Sequence, residues 1–114
     1  MNDWRELKIM TKALADIARL TIVYHLARHN EVTVTDLTDL LSLSQPLVSW
    51  HLRKLRRAGL IETRRSGRQV HCSLNVQRFQ LCLQRLENLI DPAILIEIPL
   101  VGPALIEADA ALED

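Results

Sequence analysis

Glycine occurs three times, proline four times and cysteine twice in 114 residues, and aromatic side chains make up only 4%. Three glycines are too few for a loop that cradles nucleotide phosphates with its backbone. Two cysteines, Cys72 and Cys82, cannot build a disulfide framework, which favours a reducing compartment. No uncharged apolar run approaches the ~20 residues needed to cross a bilayer. The opening Met1-Asn2-Asp3-Trp4-Arg5-Glu6 is polar and of mixed charge, unlike a signal peptide. A cytoplasmic protein with no membrane partner is therefore expected. There is no nucleophile elbow and no carboxylate pair with a nearby base, so neither an enzyme nor a cofactor is expected.

What is present is an ordinary globular mixture, 48% hydrophobic and 25% charged, of a size for one small domain. The formal net charge is zero, but its distribution is not even. Between Ser44 and Arg78 there are eight basic residues and the single acid Glu62. From residue 87 onward there are seven acids and no Lys or Arg. The middle third is built for a polyanion. The sequence divides into a domain over residues 1–90 and an acidic, apolar extension over 91–114, interrupted by Pro92, Pro99, Gly102 and Pro103. The pattern allows a short helix from Pro103 to Leu112.

Apolar spacing predicts a first helix over about residues 3–14, with Trp4, Leu7, Met10 and Leu14 on one face and Ile9 off it. Asp16 can cap a second helix over about 17–28, with Leu20, Val23, Tyr24 and Ala27 inward. Residues 35–60 suggest two short helices and a tight turn. Thr35 can cap the first, with Leu37, Leu40 and Leu41 inward. Ser44 can cap the second, and Pro46 falls in its first turn, where a missing N–H is harmless. On a helical wheel of residues 45–57, Val48, Leu52 and Leu55 point one way. Pro46, Ser49, Trp50, Arg53 and Arg57 point the other, and His51 lies at the flank between Leu47 and Leu55. Gly59 suits the left-handed residue that ends the helix. Two strand-like runs, 60–65 and 68–74, meet at Ser66-Gly67 as a hairpin. A last helix over about 76–90 carries Phe79, Cys82, Leu83, Leu86, Leu89 and Ile90 on one face.

Two helices, a short turn and a basic hairpin are the layout of a winged helix-turn-helix. A major groove about 12 Å wide admits one helix, which needs an apolar back and a polar front. The expected fold is mainly α, about five helices plus a two-stranded β-wing. Gln45, Ser49 and Trp50 are placed to meet bases. Ser44, Arg53, Arg57, Arg64, Arg65 and Arg68 are placed to hold phosphates or the groove beside the wing.

Residues 12–75 resemble the ArsR/SmtB family of bacterial repressors. Lys12-Ala13-Leu14-Ala15-Asp16 with Ala18-Arg19-Leu20 is similar to that family's "KALADPTRL", with Ile17 in place of the proline. Ser42 to Leu60 resembles its "GLSQSAVSRHLKVLREAGLV", and residues 64–74 resemble its wing. The resemblance implies a homodimer whose first and last helices form the interface, bound to double-stranded DNA at a pseudo-palindromic operator. Trp50 stands where the family carries Arg or His, so base preference does not transfer.

Metal-responsive members carry a Cys-x-Cys in a stretch like "ELCVCDL". Here it reads Glu31-Val32-Thr33-Val34-Thr35-Asp36-Leu37, and threonine is a poor ligand for a soft metal. The family's Asp-x-His site lacks its distant partner, because residues 76–90 contain no His. No metal is expected, and the effector is open. Cys82 reads as a small core residue and His25/His29 as a solvated pair without a third ligand. Two other readings remain at this point. One is a winged-helix protein-interaction module docking through its C-terminal tail. The other is a repressor sensing a metal or a thiol oxidant at a different site.

Overall fold

A computed structural model describes residues 4–93, so the expected helix over 103–112 and nearly all of the acidic extension lie outside the described residues. The elements run α1 (Trp4–Leu14), α2 (Ile17–Arg28), β1 (Val32–Thr33), α3 (Val34–Leu41), α4 (Gln45–Arg57), β2 (Ile61–Ser66), β3 (Gln69–Leu74) and α5 (Val76–Glu87).

Helix α1 buries Leu7, Met10 and Ala13, while Ile9 is exposed off that stripe. Trp4, on the same expected stripe, is 57% exposed. Leu7 and Met10 meet Cys82 of α5 in a small cluster. Glu6 strengthens that union by ion pairs to Arg78 at 2.6 Å and Arg85 at 3.0 Å.

Asp16 caps α2 as expected, accepting from the Arg19 N–H at 3.1 Å. That backbone hydrogen bond, helped by the nearby Arg19 guanidinium and opposed by partial burial, holds its carboxyl below the ordinary carboxylate range. The buried face of α2 differs from the expected one. It is Arg19, Ile22, Val23 and Leu26, with Leu20, Tyr24 and Ala27 exposed. The helix is apolar on two sides, so periodicity could not say which side meets the core. The expected face did not include Arg19, and its burial beside Ile22 and Leu26 marks the side that meets the core.

The cap of α3 is Thr33, not Thr35, and it accepts from the Asp36 N–H at 3.1 Å. Leu37 is fully buried and Leu41 is half-buried, whereas Leu40 is exposed. The turn into α4 bends at Ser42, whose φ of 54° is left-handed. Ser44 then caps α4, and Pro46 sits in its first turn. Val48, Leu52 and Leu55 enter the main core with Leu37, Leu60 and Ile61. Gly59, at φ +77°, lets the chain leave α4 into β2.

The wing is a regular hairpin, β2 pairing β3 antiparallel from Ile61↔Leu74 to Ser66↔Gln69, with Gly67 at φ +61° in its turn. The sheet has a third strand beyond the two expected. β1 pairs β3 through Val32↔Cys72 and Thr33↔His71, giving the order β1-β3-β2. A two-residue strand shows no periodicity and is made only by its distant partner.

Candidate nucleic-acid interface

Helix α4 is both anchor and probe. Its buried leucine face fixes the axis, and the opposite face is open to solvent. Gln45, Pro46, Trp50, Arg53 and Arg57 are exposed, and Ser49 is half-buried. Trp50, at the centre of this face, is 44% exposed. Of the expected contact residues, Ser44, Gln45, Ser49, Trp50, Arg53 and Arg57 thus share the start and outer face of one helix. Arg65 and Arg68 are exposed near the hairpin turn beside it. Between α4 and the wing runs a groove of about 350 Å³ with Arg53, Arg56 and Arg57 on its rim and Leu52, Val34 and Val70 on its floor. Arg56 donates to the Thr63 hydroxyl at 3.3 Å, which links the end of α4 to β2.

Arg64 is placed differently from its neighbours. It lies midway along β2, opposite His71, and is held by Glu31 in a two-pronged ion pair of 3.1 and 2.8 Å. The Arg64 guanidinium holds the Glu31 carboxyl below its ordinary range. Arg64 therefore offers its Nε and Nη2 donors to another group only by releasing Glu31. Glu31 was read only as part of the altered cysteine stretch. No local pattern shows that β1 would carry it to the wing.

The residues sequence reasoning missed lie behind Trp50. Arg19 and His51 are both buried. The Arg19 Nε donates to the Ala13 carbonyl at 2.6 Å, and its Nη1 lies 3.1 Å from His51 Nδ1. The Trp50 indole packs edge-on to the His51 ring at 5.0 Å, and Lys54 stands 5.0 Å over the indole. The signal available was His51's place between Leu47 and Leu55, which puts it at the edge of the buried face.

The cysteines sit apart from this surface and are both buried. Burial, then the negative charge of Glu31, pushes the Cys72 thiol up to about 11. Burial also raises Cys82, against the opposing charge of Arg85. Thiolate is the reactive form, so folded Cys72 should alkylate on the order of a hundredfold more slowly than an ordinary cysteine at pH 8. Iodoacetamide labelling read by mass spectrometry, with and without denaturant, checks this. Rapid labelling of the folded chain would show that the thiol is presented to solvent. Among the described residues, no three His, Cys, Asp or Glu side chains gather as a metal ion would need. Nor is any helix among them long and apolar enough to cross a membrane.

An anchored helix with an open polar front, a capped tight turn before it and a basic hairpin beside it define a winged helix-turn-helix. Residues 16–63 match the family model described as "Bacterial regulatory protein, arsR family". The arsenic resistance transcriptional regulator ArsR1 of Pseudomonas putida is 39% identical over 83 residues, 73% of this chain and 65% of the relative. The arsenical resistance operon repressor of Escherichia coli is 45% identical over 64 residues, 56% of this chain and 55% of the relative. The transcriptional activator HlyU of Vibrio cholerae is 36% identical over 81 residues, 71% of this chain and 74% of the relative. A solved structure of HlyU from that organism superposes with a TM-score of 0.62 at 35% identity, covering 72% of this chain and 91% of that one. The chain belongs to the arsR family of bacterial regulatory proteins, a class of regulators and not of enzymes. It spans between about half and two thirds of the length of the first two relatives.

Proposed function

We propose that the chain is a sequence-specific DNA-binding transcriptional regulator, a repressor acting as a homodimer on a pseudo-palindromic operator. The observation that carries this is the outer face of α4, where Trp50, Arg53 and Arg57 stand open and Ser49 is half-buried, while Val48, Leu52 and Leu55 are buried behind them. Gln45, Ser49 and Trp50 meet bases. Trp50 offers apolar and stacking contact and cannot make the two-pronged guanine contact of an arginine. Ser44, Arg53, Arg57, Arg65 and Arg68 hold backbone phosphates, joined by Arg64 when it leaves Glu31. Repression is favoured by the family resemblance and by the E. coli relative's name, although the V. cholerae relative is named as an activator.

The dimer reading rests on α1 and α5. Packed together through Leu7, Met10 and Cys82, they leave Trp4, Leu83, Leu86, Leu89 and Ile90 exposed at and beyond their outer faces. Exposed large apolar side chains on two packed helices of a domain this small are what a second copy would cover.

The test is a gel shift with the DNA upstream of the chain's own gene, run beside light scattering. A particle of twice the 13.0 kDa chain mass is expected. Wild type should shift the duplex, and Arg65→Ala/Arg68→Ala should bind much more weakly. Equal, negligible binding by both would instead favour a protein-interaction module.

A further inference from the structure

Trp50 is aimed by something. The buried guanidinium of Arg19 bonds at one end to the Ala13 carbonyl, at 2.6 Å, and at the other approaches His51 Nδ1, at 3.1 Å. Arg19 thereby ties the corner between α1 and α2 to the middle of α4. The residue immediately before His51 is Trp50, whose indole rests edge-on against the same imidazole, with the Arg19 guanidinium 5.7 Å from its centre. Guanidinium only donates, so the bond requires His51 Nδ1 to accept, with the ring neutral and its proton on Nε2. A second proton on Nδ1 removes that acceptor. A second partner waits nearby, because Asp16 Oδ1 lies 3.9 Å from Nδ1.

We propose that Arg19 and His51 are a positioning pair that aims Trp50 at the duplex, and that protonation of His51 exchanges Arg19 for Asp16 and releases that aim. This rests on the DNA-binding reading above. The charged groups facing the ring are Asp16 from the corner before α2, Arg19 from α2 and, across Trp50, Lys54 of α4 itself. Among the described residues, α1, α3 and β2 give the ring no charged or hydrogen-bonding partner. Asp16 favours the protonated ring and Arg19 opposes it, so the exchange lies between two definite arrangements. Its sign is distinctive. Added positive charge on His25, His29, His71 or His51 would draw phosphates more strongly, so simple electrostatics predicts tighter binding in acid. Release of Trp50 predicts weaker binding.

The experiment measures anisotropy of a labelled duplex from upstream of the chain's own gene, at fixed salt. The two conditions are about pH 8 and about pH 5.5, which bracket ordinary imidazole titration. Wild-type affinity should fall about tenfold in acid, the scale expected when one side chain stops reading its base. His51→Asn puts a permanent acceptor oxygen at the place of Nδ1 and should stay flat within about twofold. Nitrogen-15 NMR of wild-type histidines adds a readout that needs neither DNA nor a variant, so it stands even if His51→Asn does not fold. At the higher pH, His51 Nδ1 should be unprotonated. A protonated Nδ1 there, wild-type binding that holds or tightens in acid, or an equal fall in His51→Asn would each overturn the proposal. Binding of no duplex at either pH overturns the DNA reading and this proposal together. Binding with an unchanged pH profile overturns this proposal alone.

Discussion

Between 50 and 200 mM salt, operator affinity should fall ~10³- to 10⁵-fold, the loss expected when about six to ten phosphates are neutralised. The surface suggests that range. Each protomer offers Arg53, Arg57, Arg65 and Arg68 exposed on α4 and the wing, while Arg64 is held by Glu31. In the proposed dimer two protomers would bring these arginines twice over, and release of Arg64 would add one on each side. With a slope of about −0.9 in log affinity per phosphate, Arg65→Ala/Arg68→Ala should flatten the salt dependence as well as weaken binding. The zero net charge of the chain does not oppose this, because the field at a duplex is set by charges within roughly a Debye length, about 10 Å at 0.1 M salt. Anisotropy titrations at several salt concentrations measure the slope. A flat response would remove phosphate contact as the source of affinity and with it the assigned role of the wing.

Leu55→Ala should destabilise the protein by about 2–5 kcal/mol, the usual effect of emptying a fully buried leucine site. Leu55 has no solvent exposure and packs in the core with Leu37, Val48 and Leu60. Against a typical total stability of roughly 5–15 kcal/mol, such a loss is large. Urea denaturation followed by circular dichroism gives the change. Leu47→Ala is the comparison, since Leu47 is exposed and on the same helix. The exposed site should lie within about 0.5 kcal/mol of wild type. Equal losses at the two sites would contradict the division of α4 into a buried and an open side. The division also links fold to function: the side chains that hold α4 in place are a different set from those proposed to meet DNA.

Much of this was legible before any coordinates. Residues 45–57 alternate leucine and valine with polar groups at helical spacing, and Ser44, Pro46 and Gly59 mark the ends by local backbone chemistry. Capping, turn geometry and amphipathic period act over a few residues, so they survive in sequence. What failed has a common cause. Leu20, Tyr24 and Leu40 were expected inward and are exposed. Leucine and tyrosine carry no label saying whether the core or a partner will cover them. The burial of Arg19 has no local signature, because a buried charge needs partners, and its partners Ala13 and His51 lie 6 and 32 residues away.

Amino-acid order alone thus set the helical periods, the caps, the hairpin and the strongly basic middle, since each depends on neighbours a turn or two distant. Tertiary structure alone decided which flank of α2 faces inward, that a two-residue strand completes the sheet, that Glu31 takes hold of Arg64, and that Arg19 braces His51 behind Trp50. Those outcomes require groups far apart in the chain to meet; burial removes the competing water around Arg19 and His51, whereas Glu31 and Arg64 meet at the surface and need only the fold to bring them together.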